Sequence, residues 1–257
     1  MSLWEQAAWP QVASILAAQD AAILPIGATE QHGPHMGCGM DAVLADKLCR
    51  AVAEVTGLLM LPTLPYGCSL GHSQRWPGTI AVQPKTLIDL VKEIGDWAWI
   101  SGVRRLFIVN THVTNVAPLR CALEMLRAEH DDMMVALFNS ATLSARVRQM
   151  HFADGDDWHA NDAETSLMLA VANEMVDTTC MLDADDPDRT SGLVFPHPVN
   201  RTSTNGVTGS PSLATREKGE QLFAWMTEDL AALIRKGLVE QAPLNHSYFS
   251  RVESTTE

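Results

Sequence analysis

Positive charge is scarce in this chain: 18 lysines and arginines stand against 31 aspartates and glutamates, a formal net charge of −13. So acidic a surface repels phosphate backbones and anionic lipid, which excludes non-specific nucleic-acid binding and electrostatic attachment to a membrane. No run approaches the roughly 18 apolar residues that a membrane-spanning helix needs. The opening MSLWEQAAWPQV has neither the basic head nor the apolar core of a secretory leader, so a cytoplasmic location is expected. Cysteine is sparse and scattered. Cys38, Cys49, Cys68, Cys121 and Cys180 are odd in number and form no C-x-x-C pair, so neither a disulfide framework nor a thiolate zinc site is expected. GxGxxG and GxxxxGK[ST] are missing, which leaves a phosphate cradle unsupported, and a serine nucleophile elbow is not expected. There is no internal repeat, and no linker or like-charge block divides the 257 residues, a length that suits a single α/β domain over 1–257.

What is present gathers in residues 24–41, LPIGATEQHGPHMGCGMD. The apolar segment 21–26 before it has the length of a strand buried on both faces, and the sequence from Asp41 to about Thr56 has helical spacing, ending at Gly57. The polar cluster therefore lies in a strand-to-helix connection, the rim where open α/β sheets bind ligands. Glu30 and His32 are two residues apart and leave an extended segment on one side. Gly33, Gly37 and Gly39 let the loop return Asp41 to them. Two carboxylates and an imidazole suit Zn²⁺, Mn²⁺ or Fe²⁺, and a central carboxylate can bridge two ions. The alternatives are Asp41 as a helix N-cap and Glu30 as an exposed loop acid.

The remaining chain repeats the pattern. Residues 3–19 read as an amphipathic helix interrupted near Pro10, and 58–67 as a second buried strand leading into a loop with His72, Arg75 and Trp76. A helix over 86–101 stops at Gly102, a strand over 104–109 ends in NTHVTN with His112, a helix follows over 116–130, and a fourth strand covers 133–139. His112 thus occupies a second rim loop of the same kind. Before a helix over 167–175, Asn161 and Glu164 have capping-box spacing, which needs no chemistry, and His159 alone has no assigned role. Residues 183–212 are expected to be a lid, a binding segment or an oligomer contact. A last helix runs over 212–236 with Ser212 as its cap, and the tail beyond is peripheral.

Taken together, PIGATEQHGPHMGCGMD, RWPGTI, FIVNTHVTN and HANDAETSLML, in that order, resemble the blocks of the creatininase (creatinine amidohydrolase) family, over about residues 20–235. The resemblance implies an α/β fold, a three-layer α/β/α sandwich on a mostly parallel sheet, and a homo-oligomer, often a hexamer, acting on a small molecule. It implies two divalent ions per chain, Zn²⁺ first with Mn²⁺ or Fe²⁺ as alternatives, on Glu30, His32, Asp41, His112 and Glu164 with Asp41 bridging. His159 matches the histidine that moves protons. The implied reaction is hydrolysis of a non-peptide C–N bond, in a cyclic amide, by a hydroxide held between the ions. His72, Trp76, Thr79 and Trp158 are expected to touch substrate, and Phe195 to wall the pocket. Thr114 replaces a glutamate of creatininase itself, and Gly71 replaces a glutamate ahead of His72, which argues against creatinine as substrate. Within the family the alternatives are a formylamino-pyrimidine deformylase, a peptidase-like maturation enzyme and a cyclic-diketone hydrolase; outside it, a metal-binding structural or regulatory subunit without turnover.

Overall fold

The computed structural model describes residues 2–72, 75–244, 246–247 and 249–251. In chain order it comprises β1 (Ser2–Leu3), α1 (Trp9–Ala18), β2 (Ala21–Ile26), α2 (Met40–Thr56), β3 (Leu59–Met60), α3 (Pro84–Ile100), β4 (Arg105–Asn110), α4 (Val116–Glu129), β5 (Met134–Asn139), α5 (Ala145–His151), α6 (Asp162–Val171), α7 (Thr178–Met181), α8 (Val199–Thr202) and α9 (Arg216–Val239). The strands form one sheet in the order β1-β3-β2-β4-β5, every neighbouring pair parallel.

Alternation along the central strands builds three layers. Ala21 and Ile23 of β2, with Phe107 and Val109 of β4, join the core under α2, α6 and α9. Ala22, Leu24 and Ile26, with Leu106 and Ile108, join the core under α1, α3 and α4. Each wholly buried Leu or Ile on these strands contributes about 1.5–3 kcal/mol relative to exposure, so the sheet is held from both sides. On α2 the positions Leu44, Leu48 and Val52, one turn apart, are buried and face the first core. The helix ends at Gly57, whose φ of 78° a residue with a Cβ adopts only at a cost.

Several boundaries differ from expectation for identifiable reasons. Pro10 does not interrupt a helix but starts one, in the first turn of α1 where no N–H partner is needed; a short strand and a 3-10 turn precede it. The segment 58–67 is a strand only at Leu59–Met60, because Pro62 and Pro65 cannot donate to a ladder. Helix α6 covers Asp162–Val171 rather than 167–175, and α9 is capped by Thr215, whose hydroxyl accepts from the Lys218 N–H, while Ser212 bonds Asp185 instead. Helix α5 was not anticipated. Among the described residues no helix is long and apolar enough to cross a membrane, and the five cysteines are free.

Candidate metal centre

The carboxyl ends of β2, β3 and β4 open toward one cavity of about 220 Å³. Beyond β2 the chain makes a close approach: a Cβ on Gly27 would lie 2.4 Å from the Ala42 nitrogen, so only glycine lets the first turn of α2 fold back against the strand. That contact brings Asp41 beside Glu30. Asp41 lies inside the helix, not at its cap, which is Gly39. Of Gly33, Gly37 and Gly39, only Gly33 has a left-handed φ, 68°. The Thr111 hydroxyl, just past β4, donates to the Asp41 carbonyl at 2.8 Å. Asn115 ties the three rim loops together, accepting from the Cys68 N–H and donating to the Gly27 carbonyl.

Three buried carboxylates and three buried imidazoles meet there. His112 Nδ1 is 3.3 Å from Glu30 Oε1 and 3.4 Å from Asp41 Oδ2, and His32 Nε2 is 3.7 Å from Asp41 Oδ1. His72 Nε2 and His159 Nδ1 each lie 3.7 Å from a Glu30 oxygen. Ligand atoms about 2.0–2.1 Å from a single tetrahedral ion are separated by roughly 3.3 Å, so this spacing fits shared cations better than direct hydrogen bonds. Among the described residues, Glu30 Oε2, His32 Nε2 and Asp41 Oδ2 are buried without a hydrogen-bond partner, and such orphaned atoms need a reason. The opposite ring nitrogens are anchored: His32 Nδ1–H donates to the Glu30 carbonyl at 3.1 Å, and His112 Nε2–H to the Cys68 carbonyl at 2.8 Å. Each bond leaves the inward nitrogen as a lone pair, the tautomer a ligand requires. The residues therefore fit divalent metal.

Glu164 reaches the cluster from α6. Asn161 does cap that helix, accepting from the Glu164 N–H at 3.1 Å. The reciprocal half of a capping box is not made: Glu164 Oε2 instead accepts from the Ala160 N–H at 2.6 Å. Ala160 has a φ of 51°, and this left-handed turn aims its N–H at the carboxylate. A Glu164 oxygen lies within 4.8 Å of His32 and His159 ring nitrogens.

A family model for creatininase, described as creatinine amidohydrolase, matches residues 5–234. The chain belongs to the creatininase family. It is 32% identical over 244 residues to a creatinine amidohydrolase of Pseudomonas putida, covering 89% of this chain and 94% of that one. It is 33% identical over 234 residues to a mycofactocin precursor peptide peptidase of Mycobacterium ulcerans (strain Agy99), covering 83% and 84%. A mutant creatininase of Zn-Zn type superposes with a TM-score of 0.82 at 31% identity, covering 93% of this chain and 100% of that one.

Within this creatininase-family site the electrostatics are dominated by burial. Loss of solvent pushes Glu30 up to about 7, against the pull of His159 and a Ser69 hydrogen bond, and Glu164 up to about 8. Asp41 is raised well above the carboxylate range by burial and by the neighbouring Glu30 and Glu164. Burial also keeps His32, His72 and His159 neutral by lowering them, and takes His112 down to about 4. Without a cation the carboxylates therefore hold protons.

His72 and Trp158 line the cavity with Glu30, Asp41, His112, His159 and Glu164. Trp76 and Thr79 do not: Trp76 packs beneath the Arg75 guanidinium, and the Thr79 hydroxyl accepts from the Gln31 N–H at 3.0 Å. Phe195 is 74% exposed and faces an outer recess. Thr114 sits behind His112, its hydroxyl against the ring Nε2 and the Cys68 carbonyl, where it helps hold the imidazole rather than supplying a carboxylate. The segment 183–212 is a wall that also pins His159 through two backbone hydrogen bonds to Thr208, at 2.8 and 2.9 Å. Gln31 was overlooked. Its side-chain amide nitrogen reaches His72 Nδ1 and the Gly206 carbonyl, both at 3.0 Å, and its backbone carbonyl accepts from His159 Nε2–H at 2.8 Å. Its place between Glu30 and His32 was the available signal.

Proposed function

We propose that this creatininase-family amidohydrolase opens a cyclic amide by adding water across its C–N bond, giving a ring-opened acid and a free amine or urea nitrogen. Glu30, His32, Asp41, His112 and Glu164 would hold two divalent ions, zinc first and manganese or iron as alternatives, with Asp41 shared. Bound there, the ions would lower the pKa of water toward neutrality and polarise the substrate carbonyl. The observation that carries the reading is the convergence of orphaned, buried ligand atoms on one small cavity.

The chain's own residues supply the rest. His159 is fixed by its Nε2–H bond to the Gln31 carbonyl, so Nδ1 faces the cavity free to accept a proton and hand it to the leaving nitrogen. Although His159 is close enough to the carboxylates to serve as a ligand, its ring is 13% exposed where His32 is wholly buried, which favours exchange of protons with substrate. Gln31 donates to His72 Nδ1, so His72 presents an N–H beside Glu30 and can orient an oxygen of the substrate. A purely structural ion would need neither this proton carrier nor an open cavity. The volume of about 220 Å³ suits a small ring. The same reading includes a cytoplasmic homo-hexamer, which sedimentation of the purified protein tests.

The experiment is metal content per chain after purification without added metal, coupled to a ring-opening screen of cyclic amides with and without chelator. About two ions and chelator-sensitive hydrolysis are expected. No metal, and no gain from zinc, manganese or iron, would overturn the reading.

A further inference from the structure

The mouth of the metal cavity is not uniformly acidic. His197 lines the cavity and also a second recess of about 500 Å³, walled by Arg75, Arg189, Asn200 and Arg201. The two spaces therefore adjoin at His197. The recess is a built feature of the loop that carries it. Asp186 receives Arg189 at 2.5 Å, the Ser203 hydroxyl at 2.9 Å and the Thr204 N–H at 2.7 Å, and Arg189 also donates to the Thr202 carbonyl. Across from it, Gly71 packs on Pro198, and Arg75 donates to the Asn200 carbonyl at 3.3 Å while lying over Trp76.

These contacts divide the cations by role. The charge of Arg189 is committed to Asp186. Among the described residues, Arg75 is engaged by a neutral carbonyl and a ring face, and Arg201 is exposed with no carboxylate facing it across the recess. Asn200 Oδ1, in the same wall, is buried without a partner among the described residues. On the other flank of His197 the surface turns acidic, with Asp156 and Asp157. In a chain of net charge −13, two guanidiniums uncommitted to carboxylates beside a hydrolytic cavity suit an oxyanion, because guanidinium binds planar oxyanions through paired donors.

We propose that the substrate carries an oxyanion group, which Arg75 and Arg201 receive in this recess while its amide lies in the metal cavity. The proposal rests on the amide-hydrolysis reading and narrows it to anionic amides. The acidic flank beyond His197 repels the same group, so the two sides of the mouth set its orientation.

The test is isothermal titration of the zinc-loaded protein with N-acetylglycine and its neutral amide, and with N-acetylethanolamine phosphate to separate carboxylate from phosphate. The acid is expected to bind about tenfold tighter than the amide, a preference that raised salt weakens and that R75Q/R201Q abolishes. A still tighter phosphate ester would make phosphate the group received. Equal affinity for acid and amide, or no measurable binding of any probe, overturns the proposal. So does a preference that survives loss of both arginines, since the metal ions would then be binding the carboxylate. Zinc uptake with hydrolysis of a neutral ring, but no preference for the acid, would sink this proposal alone; failure to take up metal would sink the amidohydrolase reading instead.

Discussion

Removing metal should invert how this protein's stability depends on pH above neutrality. In the metal-free state burial holds Glu30 at about 7 and Glu164 at about 8, both from an ordinary 4.5. A raised carboxylate binds a proton in the folded chain that the unfolded chain has already released, so stability falls as pH rises through the folded values. The buried histidines act oppositely. His35, His112 and His151 are pushed down to about 4 from 6.5, so below 6.5 the unfolded chain takes protons that the folded chain refuses, and stability drops as pH falls. Chelated protein should therefore be most stable near pH 6.5. From there to about pH 8.5, Glu30 gives up roughly half a unit of linkage and Glu164 roughly one and a half, together about 3 kcal/mol at 1.36 kcal/mol per unit. Asp41 adds in the same direction. For a chain of this size that is about 6–12 °C in melting temperature. Zinc-loaded protein should lack the decline, because cations replace the protons, and titration of zinc into apoprotein should release protons to the buffer. Thermal scans of chelated and loaded protein across this range decide it. A chelated protein whose melting temperature is flat or rising from pH 6.5 to 8.5 refutes the reasoning.

Five substitutions probe separate links. Asp41→Ala should lose bound metal and activity together, whereas His159→Ala should keep metal, measured by elemental analysis, and lose turnover by about a hundredfold or more; the reverse pattern would mean the two roles are misassigned. Asn161→Ala removes the cap of α6 and the bonds from its amide to the His151 carbonyl and Asp154, so urea unfolding should show a loss of about 1–2 kcal/mol. Gly57→Ala meets open space and should cost about 1 kcal/mol for its left-handed φ alone. Gly27→Ala would drive a methyl into the α2 backbone and should yield little folded, metal-binding protein, read out by circular dichroism and zinc uptake.

Much of the architecture was legible because burial writes itself into sequence period. The run Ala21–Ile26 carries apolar residues on both faces and can lie only between two helical layers, and the spacing of Leu44, Leu48 and Val52 fixes the inner face of α2. Glu30, His32 and Asp41 were readable as candidate ligands from residue type and their place at a strand end, and Glu164 became a candidate only through the family blocks, because its local spacing serves a helix cap equally well. The short β3 hides in a longer apolar run that Pro62 and Pro65 cut off, and α5 has too short a pattern to stand out. The layers and the ligand-type residues could thus be read along the chain, since both depend on side-chain chemistry at fixed local spacing. Which of those residues meet is settled by packing. The approach of Gly27 to α2 and the reach of Gln31 across to His72 and His159 are contacts between segments up to 128 residues apart. The same holds for Trp76 and Thr79, whose types suit a pocket wall but whose loop turns them away from it. Such contacts depend on how the layers pack, and no local period records that.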